Sequence, residues 1–233
     1  MKFYVANEVF DRLGDICFGV VYAKGVNNRN AVPEIEAMLA SSIGLIESKF
    51  ETEKAREAPE ISPYRDAFGK LGLNPNKFMS SIEAMASRVE KKKGLPQINP
   101  VVDLGNAISL KYLVPLGAHD TDKAAGDIQV RFSRQGDTFT PFGEAAAEIL
   151  DDGELIYSVG EKVKTRRWIW RQSEEGKITE ESRNIFFPID GFKDQNLEQV
   201  IAARTELAEL LERLFSCEVK VGLVDKDHRE LDL

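Results

Sequence analysis

The chain of 233 residues has only two cysteines and two histidines. Cys17 and Cys217 lie near opposite ends with no CxxC pair, so neither a disulfide framework nor a thiolate zinc site is expected. Both sit in apolar stretches and read as reduced core residues. No apolar run reaches 18 residues, so no membrane span is expected. Met1-Lys2-Phe3-Tyr4-Val5 lacks the long apolar run of a signal peptide, and a cytoplasmic location is the expectation. Positive charge is also short: 31 basic residues stand against 39 acidic ones, for a net charge of −8. A broad nucleic-acid surface needs the opposite balance. The P-loop, GxGxxG, GxSxG and HExxH signatures are all missing. Hydrolysis by this chain would therefore rest on a positioned water, with no metal and no cofactor.

What is present suits a sizeable core, with 42% hydrophobic and 30% charged residues. Residues 2–26 read as two strands. Val32-Pro33 opens a helix whose apolar residues Ile35, Met38, Leu39, Ile43, Ile46 and Phe50 recur at helical spacing. Its charged end, Glu51–Glu57, reads as solvated. A short helix spans Tyr64–Leu71. Asn74-Pro75 predicts the cap and first residue of the next helix, which Gly94 and Pro96 stop. Asn99-Pro100 repeats that grammar for a helix reaching Tyr112. From Gly126 the texture turns to strands: Asp127–Ser133, Glu154–Val159, Lys162–Trp170 and Asn184–Ile189. Asn196 and Gln199 suggest a capping box for a last helix. A strand at Glu218–Leu223 and a charged tail end the chain.

The pattern predicts an α/β fold of the α+β kind, with layered mixed sheets and helices packed on one side. It is read as one domain, 1–233: strands and helix over 1–60, a core over 61–215, and a last strand and tail over 216–233.

Two segments carry the chemistry. In Lys162–Arg171, five of ten residues are basic and none is acidic. Removing those five leaves 26 basic against 39 acidic residues. As one continuous strand it would put Lys162, Lys164, Arg166, Trp168 and Trp170 on one face. Cations followed by rings suit phosphates and stacked bases. The plainer alternative is a strand whose tryptophans fill the core. Arg167 and Arg171 share the more apolar face. The other segment is Ile98–Leu110, where Asn99, Asp103 and Asn106 recur at i, i+4 and i+7. They either floor a ligand pocket or form a cap with buried structural bonds. Gly105 inside that helix suggests close approach by a neighbour. Beyond it, His119 beside Asp120 is positioned to orient a water or shuttle a proton, or else to lie in solvent.

These residues resemble the third-and-fourth-domain module of the bacterial phenylalanyl-tRNA synthetase beta subunit, in free-standing form. The resemblance rests on Gly94-Leu95-Pro96, on Ile98-Asn99-Pro100-Val101-Val102-Asp103-Leu104-Gly105-Asn106 and on Pro115-Leu116-Gly117-Ala118-His119-Asp120. It continues more loosely to about residue 215. It implies an editing domain that binds the 3′ end of tRNA and hydrolyses the ester of a wrongly attached amino acid, chiefly tyrosine. The synthetase's aminoacylation core is absent, so no ligase activity is expected.

Three departures stand out. The family's editing histidine falls on Gly117 here, and His119 comes two residues later. The family's glycine-rich pocket wall is replaced by Arg167-Trp168-Ile169-Trp170-Arg171, so a polar or differently shaped amino acid is expected in place of tyrosine. An acidic residue implied near the end of the pocket strand is missing at Phe187-Pro188.

The expectation is a trans-editing deacylase whose partner is the 3′ end of an aminoacyl-tRNA, with no membrane and no obligate protein partner. His119, Asp120 and Arg167 are the expected catalytic residues. Asn99, Asp103, Asn106, Lys162, Lys164, Arg166, Trp168, Trp170 and Arg171 are the expected binding residues. The alternatives are a non-catalytic tRNA-binding module and a small-molecule binder that reuses the pocket.

Overall fold

A computed structural model describes residues 1–233. Strand β1 (Lys2–Val5) leads through helix α1 (Asn7–Leu13) into β2 (Ile16–Lys24). Helices α2 (Pro33–Lys49), α3 (Ser62–Lys70), α4 (Ser81–Glu90) and α5 (Pro100–Tyr112) follow. Then come β3 (His119–Asp120), β4 (Ile128–Phe132), β5 (Thr138–Phe139), β6 (Glu148–Ile149), β7 (Leu155–Val159) and β8 (Lys162–Arg166). The short β9 (Arg171–Gln172) precedes the long β10 (Ile185–Phe192), and α6 (Leu197–Phe215), β11 (Glu218–Val224) and β12 (Glu230–Asp232) close the chain.

The strands form two sheets. One has eight strands, ordered β12-β1-β4-β7-β8-β5-β6, with β9 paired to β8. It is mixed, because β1–β4 and β5–β8 run parallel. The other is antiparallel, ordered β11-β2-β10-β3. Period-two alternation explains why β2 and β10 are buried on both sides. Phe18, Val20 and Tyr22 of β2, with Phe186 and Phe192 of β10, join Phe3, Val130 and Tyr157 in a core between the sheets. Val21, Ala23, Ile185, Phe187 and Ile189 face the opposite way, into a core with α5 and α6. The fold is the expected one: mixed sheets in layers, with helices on one side. No helix is long and apolar enough to cross a membrane.

Glycines set the distance between α6 and its sheet. A Cβ on Gly191 would lie 2.3 Å from Val200 Cγ2 and 2.7 Å from Asn196 Oδ1. Gly191→Ala is expected to cost about 1–3 kcal/mol by overpacking, measured by urea denaturation. Val200→Ala in the same chain should return part of that loss, and strict additivity of the two costs would refute the contact.

Five expectations need correction. Asn196 makes no side-chain cap for the last helix, because its Oδ1 accepts from the Phe192 amide at 2.7 Å. The second half of the first predicted strand pair is preceded by a helix: Val9, Phe10 and Leu13 make one buried stripe, and Gly14 at φ +73° ends it. The helix expected from Asn74 starts at Ser81 instead, because Ser80 caps it by accepting a bond from Glu83 N–H. Asn74 closes a local turn, accepting from the Asn76 amide at 2.9 Å. The charged tail folds back as β12 against β1. Lys162–Trp170 is not one strand. It stops at Arg166, where Arg167 (φ 48°) and Trp168 (φ 61°) take left-handed conformations.

Candidate active site between the two sheets

Helix α5 ends in Leu113 at φ 53°, which turns the chain back along β10. There the Gly117 amide donates to Pro188 O at 2.9 Å, and the Asp190 amide donates to Pro115 O at 3.1 Å. His119 then pairs with Phe186, and Asp120 with Ile185. Alternation sends the His119 ring toward the space between the sheets, where it stacks on Tyr157 at 5.8 Å and on Phe186 at 6.2 Å.

The same alternation turns Asp120 away. Its carboxylate accepts from the Ser182 hydroxyl and from the Asp122 amide, and it makes no bond to His119. It faces a separate polar cavity of about 390 Å³ with Lys123, Lys164 and Lys177.

Asp190 shares the inter-sheet side of β10 and is 1% exposed. Tyr157 Oη and Trp168 Nε1 each donate to its Oδ1 at 2.7 Å, which leaves Oδ2 for the cavity that Asp190 lines. That cavity measures about 100 Å³. Its floor is His119, Tyr157, Trp168 and Asp190, and Trp170 and Arg171 stand among its walls. A second cavity of about 220 Å³ adjoins it, sharing Ser81, Leu116, Gly117 and Gln172. Exposed Ile98 and Phe142 line this larger space, and Asn106 also faces it.

Burial governs both titrating groups at the floor. It pushes the His119 imidazole down to about 3, with Lys164 adding to the effect. His119 is therefore neutral at physiological pH, and its buried Nδ1 has no partner. Burial pushes Asp190 up to about 7, against the two bonds from Tyr157 and Trp168 that favour its charged form.

Of the asparagine–aspartate stripe, Asn106 lines the larger of these two cavities, and Asn99 and Asp103 line a separate one of about 170 Å³. Asn99 caps α5, its Oδ1 accepting from the Val102 amide at 3.1 Å and from Asn28 Nδ2 at 3.0 Å. Asp103 accepts from the Ile98 amide at 3.0 Å. Both secure the start of the helix. Gly105 does meet a close neighbour, since a Cβ there would lie 3.2 Å from Leu116 Cδ2.

The basic segment is largely neutralised. Lys162 and Lys164 lie 3.5 and 3.9 Å from Glu175. Arg166 meets Glu154 at 2.5 Å and Glu148 at 3.1 Å. Arg167 meets Glu154 at 3.3 Å and lies over the rings of Phe78 and Trp170, outside the cavity wall. Arg171 has no carboxylate partner and stacks over Trp170 at 4.6 Å. Trp168 is fully buried among Tyr64, Phe68 and Phe192, so it offers no free face to a base.

Sequence reasoning missed Asp190 and Tyr157. Asp190 was findable, as the lone charge in the apolar run Ile185–Phe192. It stands two residues past Pro188, beyond the predicted strand end. Cys17, on the neighbouring strand, is held near 12 by burial first and then by Asp190, so it is no nucleophile.

The phenylalanine–tRNA ligase beta subunit of Fusobacterium nucleatum is 28% identical over 130 residues, 56% of this chain and 15% of that one. The Vibrio parahaemolyticus subunit is 31% identical over 169 residues, 70% of this chain and 20% of that one. The Geobacter metallireducens subunit is 25% identical over 226 residues, 95% and 25%. The chain thus spans a quarter or less of these curated relatives. An N-terminal fragment of the phenylalanyl-tRNA synthetase beta subunit from Pyrococcus horikoshii shares the fold, with a TM-score of 0.50 and 13% identity over 93% of this chain and 49% of that one. Residues 63–220 match the B3/4 domain, which spans both walls of the cavity from Ser81 to Asp190. The chain belongs to the B3/4 domain family.

Proposed function

We propose that this chain is a trans-editing deacylase, a free-standing relative of the synthetase's editing module that hydrolyses the ester of a misacylated tRNA. The observation that carries the reading is where His119 points. Its Nε2 lies 3.3 Å from the position a Cβ on Gly117 would occupy. The ring from residue 119 therefore enters the space that a side chain at 117, the family's histidine position, would fill.

In this reading the amino acid enters the 100 Å³ cavity and the terminal adenine takes the larger one, against Ile98 and Phe142. Neutral His119 accepts a hydrogen bond from the attacking water through Nε2. The substrate's own ribose hydroxyl helps to orient that water. Water adds to the ester carbonyl, the carbon–oxygen bond to the ribose breaks, and the ribose oxygen takes the proton. Arg171, without a carboxylate partner, is the cation among the residues lining this cavity and would face the developing oxyanion or a phosphate. Asp120 and Arg167 act at most indirectly, and Lys162, Lys164 and Arg166 would have to exchange carboxylates for phosphates. The whole chain, 1–233, works as one unit, since both flanks supply strands to the sheets that hold the site.

The test is a panel of mischarged tRNAs with ester loss followed over time. At least one is expected to be cleaved well above the rate in buffer. The enzyme reading fails if none is. A non-catalytic tRNA-binding module is the second reading, and it is favoured by glycine at 117 and by the weak basicity of His119. A pure binder would hold tRNA with no turnover for His119→Ala to remove.

A further inference from the structure

We propose that the small cavity selects a small side chain bearing a hydroxyl, of serine or threonine type, and rejects aromatic ones. The inference rests on the deacylase reading above and names its substrate class.

Size is the first argument. The cavity holds about 100 Å³. A cavity of about 150 Å³ is what a benzene ring takes. A phenyl or phenol group fits only by extending into the adjoining cavity of about 220 Å³, which in this reading the adenine fills. The walls resist enlargement. Trp168 is wedged between Tyr64, Phe68 and Phe192 at centroid distances of 6.2, 5.9 and 6.1 Å. Pro115 and Pro188 also line the cavity.

Polarity is the second. Asp190 Oδ1 takes the bonds from both Tyr157 and Trp168, which fixes the carboxyl group and leaves Oδ2 without a protein partner on a residue that lines the cavity. His119 and the Thr165 side chain line the same space. An apolar side chain of suitable volume would leave Oδ2 buried and unpaired, which costs roughly 1–3 kcal/mol. A hydroxyl pairs with it in either protonation state, as donor to a carboxylate or acceptor from a carboxylic acid. Discrimination against an isostere lacking the hydroxyl follows.

The experiment charges one tRNA body with serine, threonine, valine, alanine, tyrosine or phenylalanine and measures single-turnover cleavage. Threonine and valine have the same shape, so their ratio isolates the hydroxyl. Threonyl cleavage is expected to exceed valyl cleavage by at least about tenfold, and tyrosyl cleavage by at least about a hundredfold. Equal threonyl and valyl rates, or tyrosyl cleavage as fast as threonyl, would overturn the selectivity while leaving the deacylase reading in place. If no ester is cleaved above buffer, the deacylase reading fails. Calorimetry with 3′-aminoacylamino-adenosines then decides the cavity by itself. Tighter binding of the threonyl amide than of the valyl and tyrosyl amides supports the assignment, and equal or undetectable binding removes it.

Discussion

Trp168→Ala is expected to be the most destabilising single substitution at the site. Removing a buried tryptophan costs about 3–5 kcal/mol through lost contacts and the cavity left behind. Here a second loss adds to it. The indole N–H is one of two donors on the buried Asp190 Oδ1. An unpaired buried acceptor costs roughly 1–3 kcal/mol more. Against a total stability of about 5–15 kcal/mol for an ordinary domain, the variant should be close to unfolding. Urea midpoints measure it. Trp168→Phe separates the parts, because it keeps most of the packing and loses only the donor. Trp170→Ala is the control, since that ring lies at the rim against Phe78, Arg167 and Arg171. A larger loss from Trp170 than from Trp168 would refute this division of roles.

That division was half visible in the sequence. Both fates for the tryptophans were on the table, base-stacking and core, and strand alternation made them equivalent. They differ because the strand stops. Two consecutive residues with positive φ, neither of them glycine, are a conformation that side chains rarely adopt, and composition carries no sign of it. The tertiary trap of Trp168 in an aromatic nest supplies what overrides the local cost. The charge of the same segment was misread for a related reason. Its cations find Glu148, Glu154 and Glu175, which come together only once β7, β8, β5 and β6 line up in that order and the turn after β9 folds beside β8.

Other parts were legible because their signals are local. Asn99-Pro100 caps α5 as its residue types demand. The apolar run of β2 reads directly as a strand buried on both faces. Ser80-x-x-Glu83 is an equally local capping signal, and the reading from Asn74-Pro75 passed over it. The pairing of His119 with Asp120 failed on elementary grounds: neighbours in a strand point to opposite faces. The residue that does accompany His119 between the sheets is Asp190, 71 positions away, and only the register of β10 brings it there.

On the proposed deacylase reading, His119→Ala has the second large effect, and it falls on turnover. Single-turnover ester cleavage should drop by about a hundredfold or more, the usual scale for losing a group that handles the attacking water. The pH dependence then identifies which group titrates. Burial keeps His119 neutral down to about 3, so it contributes no limb near 6.5. Asp190 changes charge near 7, so a limb there belongs to Asp190 and should vanish in Asp190→Asn. Stability gives an independent readout with opposite signs. His119 has a depressed folded value, so its unfolded form binds the extra proton and stability falls as pH drops from 6.5 toward 3. Asp190 has a raised folded value, so its contribution is full below 3.8 and is lost as pH rises through 7. Between about pH 4 and 6.5 the two slopes oppose each other and largely cancel. Each single variant should expose the other group. His119→Ala should lose stability on going from pH 4.5 to 7, and Asp190→Asn should lose it on going from pH 6.5 to 4.5. Urea midpoints across that range test the pair, and parallel curves for wild type and both variants would mean that neither group is buried as described.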